Sequence, residues 1–195
     1  GAEIRIEGVT AHPMSAKNVL INPIRIANDI INQFNIKDTP EHTEGREGYF
    51  WFNDLTANAN LATLKVSIRD FDLAGFNARK ERIQEVVQQV AANYPRAKVS
   101  CKVTDIYSNI SNSIGEDQRA IELIFGALAA HGIPPKVIPM RGGTDGAALS
   151  SRGLLTPNYF TGAHNFHSRF EFLPISAFVK SYQVTRSICL LAARG

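Results

Sequence analysis

Between Leu73 and Tyr94 the apolar residues Leu73, Phe76, Ile83, Val86, Val87, Val90 and Tyr94 recur at helical spacing, and Pro95 ends the run. Proline lacks an N–H and its ring clashes with the preceding turn, so a helix cannot continue through it. On either side of this stripe the period of the pattern drops to two. Leu64, Val66 and Ile68 alternate with Lys65 and Ser67 before it, and Val99, Cys101 and Val103 alternate after it. A long amphipathic helix between two half-buried strands leaves few folds open.

The preceding residues narrow the choice further. Residues 3–7 (EIRIE) alternate polar and apolar, as a half-buried strand does. Asn22 followed by Pro23 is a helix start, a cap and then a first-turn proline. Ile24, Ala27, Ile30, Ile31 and Phe34 then share one face, with Arg25, Asn28, Asp29 and Asn32 on the other. Residues 37–48 (KDTPEHTEGREG) read as a loop, Tyr49-Phe-Trp-Phe52 as a short aromatic strand, and residues 53–60 as a polar separator. The predicted order over residues 1–108 is β-α-β-β-α-β, the ferredoxin-like split βαβ unit. That fold hosts many functions and by itself names none.

Residues 109–195 read differently. Residues 109–117 are a polar link, and Glu116 and Asp117 open a helix through Ile121, Leu123, Ile124, Leu128 and Ala129 that stops at His131-Gly132. Val137-Ile138 and residues 154–160 are expected as short strands, and Pro174 starts a last helix with Phe178, Tyr182, Thr185, Ile188, Cys189 and Ala192 facing inward. This is an α-β-α-β-α pattern of α/β class. Two short strands are too few to close such a core alone, because parallel strands want several neighbours and cover on both faces.

The chemistry-bearing residues fall in this second part. Arg141-Gly-Gly-Thr-Asp-Gly146 is a glycine turn in which Gly142, Gly143 and Gly146 allow a tight path and Thr144 and Asp145 can cap a helix through Ala147, Ala148 and Leu149. An arginine fork beside the exposed N–H groups of such a helix start is a receptor for a carboxylate or phosphate. No Gly-Lys-Ser/Thr follows, so this is not a Walker loop. Further along the chain, after residues 154–160, come His164 and His167, with Glu171 close behind. Imidazole is a metal ligand and a proton shuttle. Taken singly, the first motif is a turn and the second a surface pair.

Composition removes other classes. The 21 basic and 18 acidic side chains leave a net charge of +3, and they are interspersed without a Lys/Arg run, so no nucleic-acid surface is indicated. No apolar run reaches the roughly 18 residues that cross a bilayer, so no membrane partner is expected. The two cysteines, Cys101 and Cys189, lie far apart in apolar patterns, as reduced thiols of a cytoplasmic protein would. The chain opens Gly-Ala, without methionine, straight into a strand pattern, which reads as a start inside a longer protein.

The ordered combination decides between these readings. Arg-Gly-Gly-Thr-Asp-Gly, Pro-Asn-Tyr-Phe-Thr-Gly and Asn-Phe-His-Ser-Arg-Phe-Glu-Phe, at this spacing, resemble the C-terminal part of the peptidase T group of the di-zinc M20 metallopeptidase family. Ala11-His-Pro-Met-Ser-Ala-Lys17, Glu44-Gly-Arg-Glu-Gly48 and Ile68-Arg-Asp-Phe-Asp72 resemble earlier segments of the same family, in the same order. The resemblance implies that residues 1–108 are the lid and dimerisation domain, and residues 109–195 the C-terminal part of the zinc-peptidase domain. It implies an aminopeptidase that releases the N-terminal residue of tripeptides, a pair of zinc ions and a homodimer paired through the lid.

Residue by residue, the resemblance makes His167 a metal ligand, Arg141 the clamp on the carboxylate-bearing end of the substrate with Thr144 beside it, and His12 a catalytic group that reaches an active site, generally that of the partner subunit, and steadies the oxyanion. The family's remaining ligands and its glutamate base match nothing here, so this chain alone is expected to be inactive. Met14 stands where the family has glycine after His-Pro, which leaves the path of the His12 loop open. His42, His131 and His164 match nothing catalytic. Two other readings stay open: a non-catalytic dimerisation or interaction module, and another M20 activity such as a carboxypeptidase, dipeptidase or amidohydrolase.

Overall fold

A computed structural model describes residues 1–194, which separate into two compact units, Gly1–Ile106 and a second beginning at Tyr107. The first unit runs β1 (Ala2–Glu7), α1 (Pro23–Ile31), β2 (Tyr49–Ala57), β3 (Leu61–Arg69), α2 (Leu73–Ala92) and β4 (Lys98–Val103). All strand pairs are antiparallel, in the order β2-β3-β1-β4. It is an α+β unit with a four-stranded sheet.

Alternation sets the register. Ile4 lies opposite Leu64 on β3 and Cys101 on β4, and Ile6 opposite Ala62 and Val99. Those side chains share one face of the sheet, where Ile26 and Ile30 of α1 and Ile83 and Val86 of α2 join them, all at 0% exposure. Glu3 and Arg5 point to the opposite, exposed face. Each fully buried aliphatic side chain contributes about 1.5–3 kcal/mol, so this shared face stabilises the unit more than any polar contact does.

Both long helices begin where their caps dictate. The Asn22 side chain accepts from the Ile24 amide at 2.9 Å with Pro23 in the first turn, and the Asp72 carboxylate accepts from the Gly75 amide at 2.9 Å. Asp70 makes a second joint at the start of α2. It accepts from the Asp72 amide at 3.0 Å and from Arg79 Nε at 2.9 Å, with the Arg79 guanidinium lying over the Phe50 ring. A Cβ on Gly48 would sit 2.2 Å from the Asp70 carboxylate. Two of the quoted segments, 44–48 and 68–72, therefore meet at one carboxylate.

β2 is longer than its sequence suggests. The stretch expected to separate two strands continues the first of them to Ala57, through a bulge between Phe52 and Asp54. Beyond the bulge Asp54 pairs with Lys65 on the outer face, where the two side chains form an ion pair of 3.6 Å, and Leu55 pairs with Leu64.

The second unit holds α3 (Arg119–Ala130), α4 (Asp145–Ser150) and α5 (Ile175–Ala192). The strands expected at 137–138 and 154–160 are not formed, and the strand-like pairing in this unit is the single bridge between His164 and Phe172. A strand exists only as one member of a pair, and neither segment has a partner among the described residues. Among the described residues the α-β-α-β-α expectation is corrected to three α-helices and a 3-10 turn at Ile110–Ser113, joined by irregular segments.

α5 turns inward a face that shares only Ile188 with the expected one. Val184 is fully buried and Ile188 and Leu191 pack with Ala127 and Leu128 of α3, while Phe178, Tyr182, Thr185, Cys189 and Ala192 are exposed. The C-terminus of α3 is tied to α5 by His131 Nε2 and Ser187 Oγ, 2.8 Å apart. At the other end Asp117 accepts from the Arg119 amide and guanidinium, which holds its carboxyl down to about 2.

Candidate functional site

His12 belongs to the first unit, and Arg141, Thr144 and His167 to the second. His12 sits in a closed loop between β1 and α1. Val9 and Ile21 exchange two backbone hydrogen bonds at its neck, 3.0 and 2.9 Å, and Gly8 lies so close that a Cβ would be 2.2 Å from the Ile21 carbonyl. His12 caps a 3-10 turn at Pro13–Ser15, accepting from the Met14 amide through Nδ1 at 3.2 Å. Met14 needs no glycine conformation: its φ is not positive and its side chain is 90% exposed. The methionine therefore adds no strain to this loop, whose left-handed position, φ +62°, falls on Asn18.

In the second unit the glycine turn is built by close approach. A Cβ on Gly143 would sit 1.5 Å from the Tyr107 hydroxyl oxygen, and one on Gly146 would sit 2.4 Å from the Thr156 carbonyl and 2.9 Å from Asn158 Oδ1. None of Gly142, Gly143 and Gly146 has a positive φ, and a Cβ at Gly142 would meet nothing. The glycine requirement is thus one of space, and it falls on two of the three positions.

Thr144 caps α4 as expected, its Oγ1 accepting from the Ala147 amide at 3.0 Å. The same oxygen accepts from Asn158 Nδ2 at 3.1 Å, so the hydroxyl hydrogen is what Thr144 has left to offer. Ser150, buried at the end of α4, accepts from the Thr156 amide at 2.9 Å. Residues 156–158 thereby hold α4 against the turn that carries Arg141, itself half-buried. α4 has only six residues, so the contribution of its dipole is that of a single short turn.

His167 occupies the left-handed region, φ +64°, two residues after Asn165 at φ +56°. A non-glycine residue there costs roughly 1–2 kcal/mol. The loop around it supplies the restraint. His164 and Phe172 pair by backbone bonds of 2.9 and 3.2 Å with their rings stacked, and Asn165 Nδ2 donates to the Phe170 carbonyl. Glu171 accepts from the backbone amide of His167 at 2.8 Å and so fixes the main chain beneath the imidazole. The imidazole is exposed.

Sequence inspection placed Glu171 near His167 without revealing that it binds the amide. Asn158 was visible inside the Pro-Asn-Tyr segment, whereas nothing in the sequence marked Tyr107. The other histidines have packing partners: His42 with Thr39, His131 with Ser187, and His164 with Phe172.

The profile of the peptidase dimerisation domain of the M20 family matches residues 1–98, just over half of the chain. The chain belongs to the M20 peptidase family, in its peptidase T-like branch. A peptidase T-like protein of Yersinia pestis is 74% identical over 194 residues, which are 100% of this chain and 47% of that protein. Peptidase T of Clostridium botulinum is 41% identical over 192 residues, 98% of this chain and 47% of that one. A tripeptidase from Staphylococcus aureus superposes with a TM-score of 0.72 at 18% identity, covering 100% of this chain and 51% of the other. The chain therefore spans about half the length of the relatives it matches. Among the described residues of this M20 chain no three His, Cys, Asp or Glu side chains converge as a metal site. Nor is any helix among them long and apolar enough to cross a membrane.

Proposed function

We propose that residues 1–108 are the lid of a cytoplasmic, zinc-dependent M20 aminopeptidase and residues 109–195 the closing part of its catalytic domain. The substrate is a tripeptide, and the product of each turnover is the N-terminal residue and a dipeptide. The observation that carries this reading is the strained backbone at His167, held at φ +64° by the Glu171 carboxylate. Strain of this kind persists where surrounding structure over-determines a residue, and it gathers at ligand-holding positions.

His167 has the right donor chemistry for zinc, a neutral imidazole on a fixed backbone, but it is one of the three or four protein ligands that zinc takes. When bound, the metal supplies Lewis acidity toward the scissile carbonyl. This chain's own residues do the rest of what we assign. Arg141 presents a planar fork of donors to the terminal carboxylate, and the remaining hydroxyl hydrogen of Thr144 adds a third. His12 we assign to the active site of the partner subunit in the homodimer, where it donates to the oxygen on which charge develops as the carbonyl is attacked. With one metal ligand and no matched general base, the 195-residue chain alone is inactive.

The family match over residues 1–98 supports a homodimer paired through the first unit, and pairing is the whole role of this unit if the complete protein proves inactive on peptides. Sedimentation from micromolar to millimolar concentration tests the pairing, which a monomer throughout would remove.

The catalytic assignment is tested on the complete protein with free-acid and C-terminally amidated tripeptides. Arg141→Lys keeps the charge and loses the two-pronged contact, so catalytic efficiency on the free acid falls about tenfold or more, given roughly 1.5–3 kcal/mol for a hydrogen bond to a charged group. The amidated substrate loses less, and zinc content stays unchanged. His167→Ala lowers zinc content instead. Equal losses on both substrates would move Arg141 out of the carboxylate clamp.

A further inference from the structure

We infer that the loop carrying His12 is a preset donor mount: the Met14 amide holds the imidazole in its Nε2–H tautomer, and Thr10 and Asn60 are the positioning residues that keep the mount in place. The catalytic consequence rests on the function proposed above, whereas the mount itself does not.

The chain of contacts begins at the tip of the β2–β3 hairpin. Asn58 folds that tip on itself, its Oδ1 accepting from the Asn60 and Leu61 amides at 2.8 and 3.0 Å. This places Asn60 against the start of the His12 loop in two ways: its carbonyl accepts from the Gly8 amide at 2.9 Å, and its side-chain oxygen accepts from the Thr10 hydroxyl. On the far limb Arg96, just beyond α2, donates to the carbonyls of Asn18 and Val19 at 2.9 and 3.2 Å. With its neck closed by Val9 and Ile21, the loop is pinned on both limbs, and His12 stands in the arch between the pins.

Within the arch the ring is oriented by the backbone. Met14 N–H donates to Nδ1, and the His12 carbonyl accepts from the Ser15 amide at 2.9 Å, so ring and peptide are both fixed to one 3-10 turn. A nitrogen that accepts a hydrogen bond carries no proton in the neutral ring, so the proton is on Nε2, aimed away from the turn into solvent. Such a ring can donate to an oxyanion. In its neutral form it has no lone pair left to act as a base. The arrangement thus selects donation over proton abstraction, and it is set before any substrate arrives.

The test is nitrogen NMR on the intact 195-residue chain, at a pH where imidazoles are neutral. The expected wild-type spectrum shows His12 with an unprotonated Nδ1, a protonated Nε2, and a through-hydrogen-bond coupling from the Met14 amide nitrogen to Nδ1. Asn60→Ala should lose the coupling and drift toward the mixed tautomers of a free imidazole, while the β1 and β3 amide resonances stay in place. Asn60→Asp, which keeps an acceptor oxygen, should restore both. Thr10→Val is the second variant, with the same loss expected and Thr10→Ser as its rescue. A mixed tautomer in the wild type, or variants whose His12 signals match wild type, would overturn the inference. None of these readouts involves peptide turnover, so their failure is distinct from failure of the peptidase reading, which His12→Ala activity in the complete protein tests.

Discussion

The two units put their apolar residues to opposite use. In Gly1–Ile106 four strands pair into one sheet, and the side chains of two helices complete one continuous core. In the unit from Tyr107 onward three residues, Ala127, Leu128 and Val184, are the centre of the packing, while Ile175, Phe178 and Tyr182 stand exposed on α5 and Phe166, Phe170 and Phe172 on the histidine loop. The helices of both units are sound locally. What separates them is cover: a sheet packed under two helices buries its apolar face, and elements without such cover leave theirs open.

The strongest way to break this comparison is to separate the units. Residues 1–106 alone should melt in one cooperative transition, whereas residues 107–195 alone should show helical circular dichroism, bind a hydrophobic dye and lack a sharp transition. A cooperative melt of the second piece would end the distinction.

Single substitutions sharpen the same contrast. Ile4→Ala, at a fully buried site in the core that the two helices complete, should cost about 2–5 kcal/mol in a urea titration. Val184→Ala should cost about 1.5 kcal/mol, at roughly 0.8 kcal/mol per buried carbon lost, because its sparse neighbours can close in. Equal costs would mean that the second unit is packed as tightly as the first.

A smaller effect separates them by pH. The Tyr94 hydroxyl, beyond α2, donates to the Asp29 carboxylate on α1, and this bond raises the tyrosine above its ordinary range. A raised group adds stability that is complete below the unfolded value of about 10 and fades as pH climbs through the folded value. The first unit should therefore weaken above pH ~10. Tyr94→Phe should cost about 1 kcal/mol at neutral pH and flatten that alkaline loss. An unchanged alkaline slope in the variant would assign it to other groups.

Much of the first unit could be read in advance because its signals are local. Asn22-Pro23 caps its helix whatever surrounds it, and the alternation of residues 3–7 and 61–68 specifies which side chains face the helices. The far half of β2 escaped notice because the bulge at Asn53 breaks the alternation on which strand recognition depends. On α5 Phe178 and Tyr182 were grouped with Ile188 on the inward face, but the packed stripe joins Ile188 to Val184 and Leu191 instead. Side-chain size misled there, since burial depends on what lies opposite. At the candidate site the residue types were legible from their motifs. Their mounting was not, because the left-handed His167, the Asn158 contact to Thr144 and the Tyr107 contact to Gly143 join residues that no periodic pattern connects.

The bulge in β2 also bears on how hairpins of this kind drift over generations. Asn53 is the residue without a place in the backbone register, though its side chain donates to Ser67 Oγ on β3 at 3.1 Å, and the pairings on both sides of it, Phe52 with Val66 and Asp54 with Lys65, are those of adjacent positions on β3. A chain one residue shorter at this point could keep every other pairing and every inward side chain, with strict alternation restored. The sheet thus has a slot where loss of one residue keeps the register, and the tip that holds the His12 loop stays in the same frame.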